Sequence, residues 1–407
     1  MGRRVVITGL GVISPIGTGK DDFLKGLKEG KNGVKEIPYF DMTDYKLNRG
    51  AIVEGFNEKS YTMSNGHIDS EPANVYGLYA AKEAYIDSKI NFQAYDKERI
   101  GVAVATSLGS IDGKMKIHKK YLDSMSYEDI DLEAVFESCS TPAGVISKEY
   151  GCLGPNLSVS TACAAGTNSV GCGFDMIKDG TCDVVIAGGT DPFSELSYSG
   201  FLSLQTITKN CLSPFDANRS GIDIGEGAAI MILEELESAL SRGANIYAEI
   251  LGYGISNDAY HATSPDPNAG GAIRCIELGL KKAGISPEDV DYINAHGTGT
   301  KFNDMMEMKA ITHVFGEAAS SVAISSTKSM HGHMLGCAGS IETIVCALAI
   351  KEEFIPATIN TKEIMDEYKD YNIVIGKAVD KKIDIAISNS FAFAGNTASI
   401  VIGRYKG

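Results

Sequence analysis

Val5-Val6-Ile7-Thr8-Gly9-Leu10-Gly11-Val12-Ile13-Ser14 opens the chain, and Ala248-Glu249-Ile250-Leu251-Gly252-Tyr253-Gly254-Ile255-Ser256 repeats its pattern past the middle. Each stretch is an apolar run broken by two glycines at the same spacing. Such runs, rich in branched residues and ending at serine, read as buried strands. Outward from each, matching segments follow in the same order. Residues 100–105 and 290–295 read as short strands running into small and polar residues. Residues 157–160 and 322–325 read as further strands leading to small-residue helix starts, Cys163-Ala164-Ala165-Gly166 and Cys337-Ala338-Gly339-Ser340. The helices close on Lys178-Asp179-Gly180 and Lys351-Glu352-Glu353. Each half ends with two strands, 183–187 with 229–233 and 383–388 with 399–403. A repeated order of elements reads as duplication. Apolar strands alternating with helices require sheets covered on both faces. The expectation is an α/β molecule with halves at 1–245 and 246–407, stacked in a five-layer α-β-α-β-α arrangement.

Composition narrows the function. The 407 residues are 44% hydrophobic and 22% charged, a globular balance with ample core. A net charge of −15 argues against a general nucleic-acid binder, which needs a basic face. Nine cysteines lie scattered without CxxC spacing, so reduced thiols in a cytoplasm fit better than a disulfide framework or a zinc site. The start of the chain, Arg3-Arg4 before an apolar run, is interrupted by Gly9, Gly11, Pro15 and Gly17 and reads as a strand, not a signal peptide. No apolar run approaches a membrane span. Gly9-Leu10-Gly11 lacks the third glycine of a dinucleotide fingerprint, since Ser14 stands there.

Four segments carry candidate chemistry. In Ser158-Val159-Ser160-Thr161-Ala162-Cys163-Ala164-Ala165-Gly166 a strand ends and a helix starts. Ser160 or Thr161 is placed to cap it, and the helix start favours a thiolate at Cys163. Small neighbours leave room for a bulky acyl chain. Asn294-Ala295-His296-Gly297-Thr298-Gly299-Thr300 leaves the carboxyl end of a strand, where α/β sheets gather ligands. Ser325-Ser326-Thr327-Lys328-Ser329-Met330-His331-Gly332-His333 does the same. His333, before a helix expected near Met334, falls in the slot that mirrors Cys163, and His331 is the weaker candidate. No carboxylate or thiol at ligand spacing makes these histidines a metal site, so no metal is expected. Ser388-Asn389-Ser390-Phe391-Ala392-Phe393-Ala394-Gly395-Asn396 reads as a strand ending in a tight turn whose N–H groups can serve an oxyanion hole. For each segment taken alone, an ordinary structural role stays open.

Together these segments resemble the β-ketoacyl-acyl carrier protein synthase family, in its chain-elongating branch. The resemblance spans essentially the whole chain and includes Pro214-Phe215-Asp216, Arg219, Gly221, Gly225-Glu226-Gly227-Ala228 and Ser256-Asn257-Asp258-Ala259-Tyr260-His261. It implies a thiolase fold and an acyltransferase that joins an acyl group on Cys163 to malonyl-acyl carrier protein with loss of CO2, as in fatty-acid elongation. It implies Cys163 as nucleophile, and His296 and His333 as donors to the malonyl thioester carbonyl. The N–H groups of Cys163 and Phe393 become the oxyanion hole, with Phe393 also the gate. Lys328 becomes the residue that orients His333, paired with Glu307; Phe391 supports the site. No resident cofactor is implied, because substrates ride on the phosphopantetheine of acyl carrier protein. A homodimer, or a heterodimer with a related chain, is implied. Chain-initiating relatives carry asparagine for the second histidine, and a thiolase would need a second cysteine where Phe391-Ala392-Phe393 stand.

Three departures favour a polyketide or polyene ketosynthase as the alternative. Ala392 and Ala394 replace glycines around the gate, with Asn396-Thr397 in reversed order. Residues 61–80 hold no Lys or Arg for an acidic carrier. Ile222-Asp223 replaces an apolar pair. A noncatalytic partner subunit is a further alternative, disfavoured by the retained Cys163, His296, Lys328 and His333. Lys114, Lys116, Lys119 and Lys120 form the basic cluster nearest in sequence, a candidate carrier dock or a solvated helix face.

Overall fold

The computed structural model describes residues 2–126 and 138–407. Ten strands form its main sheet: β1 (Val5–Ser14), β2 (Ile100–Ala105), β3 (Asn156–Val159), β4 (Val184–Asp191), β5 (Gly227–Glu235), β6 (Ala248–Asn257), β7 (Tyr292–Asn294), β8 (Ala323–Ser325), β9 (Ile385–Phe391) and β10 (Asn396–Gly403). An extra short strand, Gly17–Thr18, pairs with β1. The order across the sheet is β8-β7-β9-β10-β6-β1-β5-β4-β2-β3. Read from the middle, both halves run first, fifth, fourth, second, third. In each the inner pairings are antiparallel and the outer two parallel. The halves join where β1 meets β6, Val5 opposite Ile250 and Ile7 opposite Ala248. The two stretches quoted first are thus the paired central strands, and every residue of β1 is buried.

Five principal helices cover these strands: α1 (Pro72–Ser88), α2 (Ala165–Lys178), α3 (Gly270–Ala283), α4 (Lys301–Phe315) and α5 (Ala338–Glu352). Helix α1 packs on the outer face of the first half, α3 on that of the second, and α4 packs on α3. Helices α2 and α5 contact each other and strands of both halves, so they are the middle of five layers. Helix α5 is buried from Ala338 to Ile350, as a helix walled in on all sides must be. The close approach of α2 and α5 depends on two glycines. A Cβ on Gly166 would lie 2.5 Å from the Ser340 nitrogen, and one on Gly339 would lie 2.5 Å from the Thr167 nitrogen.

Two sequence expectations shift here. Strand β9 runs on through Phe391, so the turn comprises residues 392–395 rather than starting at Ser388. The two small-residue helix starts also match one residue away from the expected register. Each begins with a 3-10 turn, Ala162–Ala164 and Leu335–Cys337, led by a residue in the left-handed region, Ala162 and Leu335, both at φ 49°. Both regular helices then start, at Ala165 and Ala338. The position equivalent to Cys163 is therefore Gly336, not Cys337 and not His333.

Candidate active site

The fold brings together three side chains that lie far apart in sequence. One sulfur and one ring nitrogen from each of two imidazoles, those of Cys163, His296 and His333, lie within 4.8 Å of one another, and all three residues are buried. Cys163 rides the 3-10 turn ahead of α2, His296 follows β7, and His333 follows β8 and the short helix Lys328–His331. The imidazole rings meet edge to face, centroids 5.4 Å apart, and Phe391 sets its ring at 74° to that of His296. They line a pocket of about 130 Å³ with Phe201, Thr298, Phe302 and Phe393. A larger cavity, about 440 Å³, lies elsewhere, lined by Tyr39, Tyr76, Glu226, Lys116 and Lys119, and contains none of the three. Thiol and imidazole are zinc-type donors. The sequence spacing around His331 and His333 offered no thiol, and the fold supplies one to His333.

Electrostatics follow from burial. Desolvation pushes the Cys163 thiol up to about 11, opposed by the Lys328 ammonium and by the backbone N–H groups of Cys163 and Phe393. The helix start was expected to favour a thiolate at Cys163, and burial acts against it. Nor does a side chain cap the turn, since Thr161 Oγ1 accepts from Asn168 Nδ2 at 2.7 Å instead. Burial, the Lys328 charge and the opposing imidazole hold His296 well below its ordinary range, and burial, Lys328 and His331 do so for His333. Both rings are neutral. His333 Nδ1 accepts from the Leu335 N–H at 3.1 Å, which leaves the proton on Nε2. His296 Nδ1 is buried with no hydrogen-bond partner among the described residues.

The expected pairing of Lys328 with Glu307 is corrected. Lys328 is fully buried and forms its ion pair with Glu342 of α5, where burial raises the carboxyl to about 7 against the pull of Lys328. Glu307 of α4 instead accepts the N–H groups of His296 (2.8 Å) and Gly297 (2.7 Å), fixing the turn that carries the imidazole. His331 uses both ring nitrogens internally, on Gly332 O and Thr327 Oγ1, and stands outside the cluster. Phe393 stacks on Phe201, with centroids 5.7 Å apart. Of the two alanines flanking it, Ala392 is extended and only Ala394 takes the left-handed conformation glycine would favour, at φ 58°. Ala394 is held there by its N–H to Ala262 O at 2.7 Å and by Asn257 Nδ2 on its carbonyl at 3.1 Å.

Two residues went unmarked in the sequence. Glu342 stands alone among apolar neighbours, and a lone charge inside a buried helix was the available signal. Asp191 ends β4, fully buried, and accepts from Thr106 Oγ1 (2.6 Å), the N–H groups of Ser107 and Leu108, and the Gly336 N–H (2.6 Å). It ties the turn after β2 to the turn whose Leu335 N–H holds His333.

Known proteins resemble this chain along its whole length. Residues 2–239 match the beta-ketoacyl synthase N-terminal domain family and residues 247–362 the beta-ketoacyl synthase C-terminal domain family. The chain is 40% identical over 409 residues to 3-oxoacyl-[acyl-carrier-protein] synthase 2 of Coxiella burnetii, covering 99% of each chain. It is 38% identical over 416 residues to the Staphylococcus aureus protein of the same name, again with 99% of each covered. Among solved structures it is similar to the ishigamide ketosynthase/chain length factor, with TM-score 0.94, 38% identity and both chains fully covered. It is also similar to a type II polyketide ketosynthase in complex with its acyl-carrier protein, with TM-score 0.91, 32% identity and both chains fully covered. By fold, converging residues and full-length similarity, the chain belongs to the β-ketoacyl synthase family.

Proposed function

We propose that this chain joins an acyl group held on Cys163 to malonyl-acyl carrier protein by decarboxylative Claisen condensation, giving β-ketoacyl-acyl carrier protein in fatty-acid elongation. The observation that carries this reading is one thiol converging with two neutral imidazoles within 4.8 Å. Loading begins with the Cys163 thiolate attacking the carrier thioester: the new S–C bond forms, the pantetheine C–S bond breaks, and the carrier thiol leaves with the proton Cys163 gave up. Malonyl carrier then enters. Neutral imidazoles act as hydrogen-bond donors, so His296 and His333 polarise the malonyl thioester carbonyl. As the C–C bond to the carboxylate breaks and CO2 departs, they stabilise the enolate oxygen. The enolate carbon attacks the Cys163 thioester. The N–H groups of Cys163 and Phe393, which favour negative charge on the sulfur, then donate to the tetrahedral oxyanion. Collapse expels the thiolate. Lys328, beside all three groups, keeps the imidazoles neutral and lowers the cost of the thiolate.

A polyketide or polyene ketosynthase is the second reading, favoured by the TM-score of 0.91 to the type II polyketide ketosynthase and by the alanine-flanked gate. A second, related chain is proposed to pair along β3. That strand ends the sheet among the described residues and exposes Leu157. One solved relative is a ketosynthase in complex with its chain length factor, from Xenorhabdus doucetiae. Nine unpaired thiols support a cytoplasmic setting, and no helix of the described residues is long and apolar enough to cross a membrane. Intact-mass measurement with a panel of acyl carriers tests the reading. An acyl adduct should form on the wild type and be absent from Cys163→Ala. No adduct from any carrier would point instead to a noncatalytic partner subunit.

A further inference from the structure

We propose that the outward face of α4, beginning at the mouth of the Cys163 pocket, is the surface on which the acyl carrier protein docks; this rests on the condensing reading above. Helix α4 sorts its residues sharply. Asn303, Asp304, Met306, Glu307 and Met308 turn inward. Lys301, Phe302, Met305 and Lys309 are exposed, and their spacing places them on one stripe. Phe302 is 73% exposed and Met305 53%, large apolar side chains left in water on a helix that otherwise buries its apolar residues.

The charge on this stripe is one-signed. Both acids of the first two turns are committed inside. Asp304 accepts from the Phe215 N–H at 2.9 Å and the Gly299 N–H at 3.1 Å, and Glu307 braces His296. Lys309 Nζ reaches a carbonyl, Pro267 O at 2.9 Å, rather than a carboxylate. On a chain of net charge −15, the face is therefore locally basic and apolar. It is also continuous with the site, because Phe302 lines the same pocket as Cys163 and His333.

The occupant follows from substrate delivery. A thioester on a phosphopantetheine arm must enter the pocket that holds Cys163, which Phe302 borders, so the protein bearing the arm comes to rest beside that pocket. A basic, apolar face fits an acidic carrier with a phosphate at the root of its arm. The lysines of the helix Ile111–Ser124 are a poorer fit. Lys116 and Lys119 border the separate cavity, among Glu58, Asp112 and Glu195.

Titration with a holo acyl carrier protein of the fatty-acid type tests the assignment on the full chain, without depending on turnover. The variants are Lys301→Glu and Met305→Glu, singly and combined, each checked for an unchanged melting temperature. The combined variant should weaken carrier binding about fivefold or more, and added salt should narrow the difference. Activity on acyl-pantetheine thioesters, which need no docking face, should stay at the wild-type level. Carrier affinity unchanged in the combined variant, or equal loss on carrier and pantetheine substrates, would overturn the assignment. Tight carrier binding without condensation would count against the catalytic reading alone.

Discussion

Cys163 is a reluctant thiolate, and this changes what chemical labelling should show. With the thiol pushed up to about 11, the reactive fraction at pH 8 is small and climbs as pH approaches that value. Cys152, Cys275, Cys337 and Cys346 are raised further by burial. Iodoacetamide should therefore modify Cys163 ahead of these buried thiols, alongside the exposed Cys211, as peptide mapping across pH 7–10 can follow. Labelling of Cys346 before Cys163 would contradict the described site. His296→Ala and His333→Ala should still accept an acyl group while losing about 10²–10³ in malonyl decarboxylation, measured as CO2 release. Wild-type release from both would remove the imidazoles from the mechanism. Cys163, His296 and His333 were legible as candidates because each lies beyond a strand end among small residues, and the fold brings the three together. The Lys328–Glu342 pair was not, because Glu342 sits deep in a helix whose position against the short helix bearing Lys328 is settled by packing rather than by local pattern.

Between elements, the crossing of α2 and α5 is the least tolerant contact. Gly166→Ala would drive a methyl into the backbone of α5 and of the turn before it, since the Ser340 nitrogen is 2.5 Å and the Gly336 oxygen 2.9 Å from the added carbon. Backbone cannot rotate away as a side chain can, so a loss of about 1–3 kcal/mol is expected by denaturant unfolding. Acyl loading should fall with it, because Gly166 is in the first turn of the helix behind Cys163. A second test concerns Asp183, which Arg99 (2.5 Å) and Arg3 (2.5 Å) hold at about 2. A depressed carboxyl contributes stability that is full above its unfolded value near 4 and is lost as pH falls toward 2. Discounted for its partial exposure, the contribution is about 1–2 kcal/mol. Asp183→Asn should remove that much at pH 7 and flatten the decline in stability between pH 4 and 2; an unchanged acid limb would refute the linkage. Element order was readable from hydrophobic runs and glycine spacing. The one-residue register of the two helix starts was not, because cysteine and alanine recur on both sides and only the left-handed residues Ala162 and Leu335 mark the alignment.

At the scale of the molecule, five layers followed from the repeated order of strands, since every strand needed cover on two faces. The second chain did not follow, because an interface cannot be read from one chain's periodicity. Sedimentation should give a dimer, and Leu157→Asp, at the open end of the sheet, should shift it toward monomer with loss of condensation. A fully active monomer would remove the second chain from the mechanism. The duplication itself has not left two equal copies. Gly336 occupies the place that Cys163 holds in the other half, yet a carbon added there would lie 2.6 Å from the Ser107 nitrogen and 2.7 Å from Asp191 Oδ2. Asp191 of the first half fills this equivalent place in the second half and accepts its Gly336 N–H at 2.6 Å. The molecule has thereby given up redundancy: it is one workshop and one buttress, and no single replacement at residue 336 can reopen the second bench.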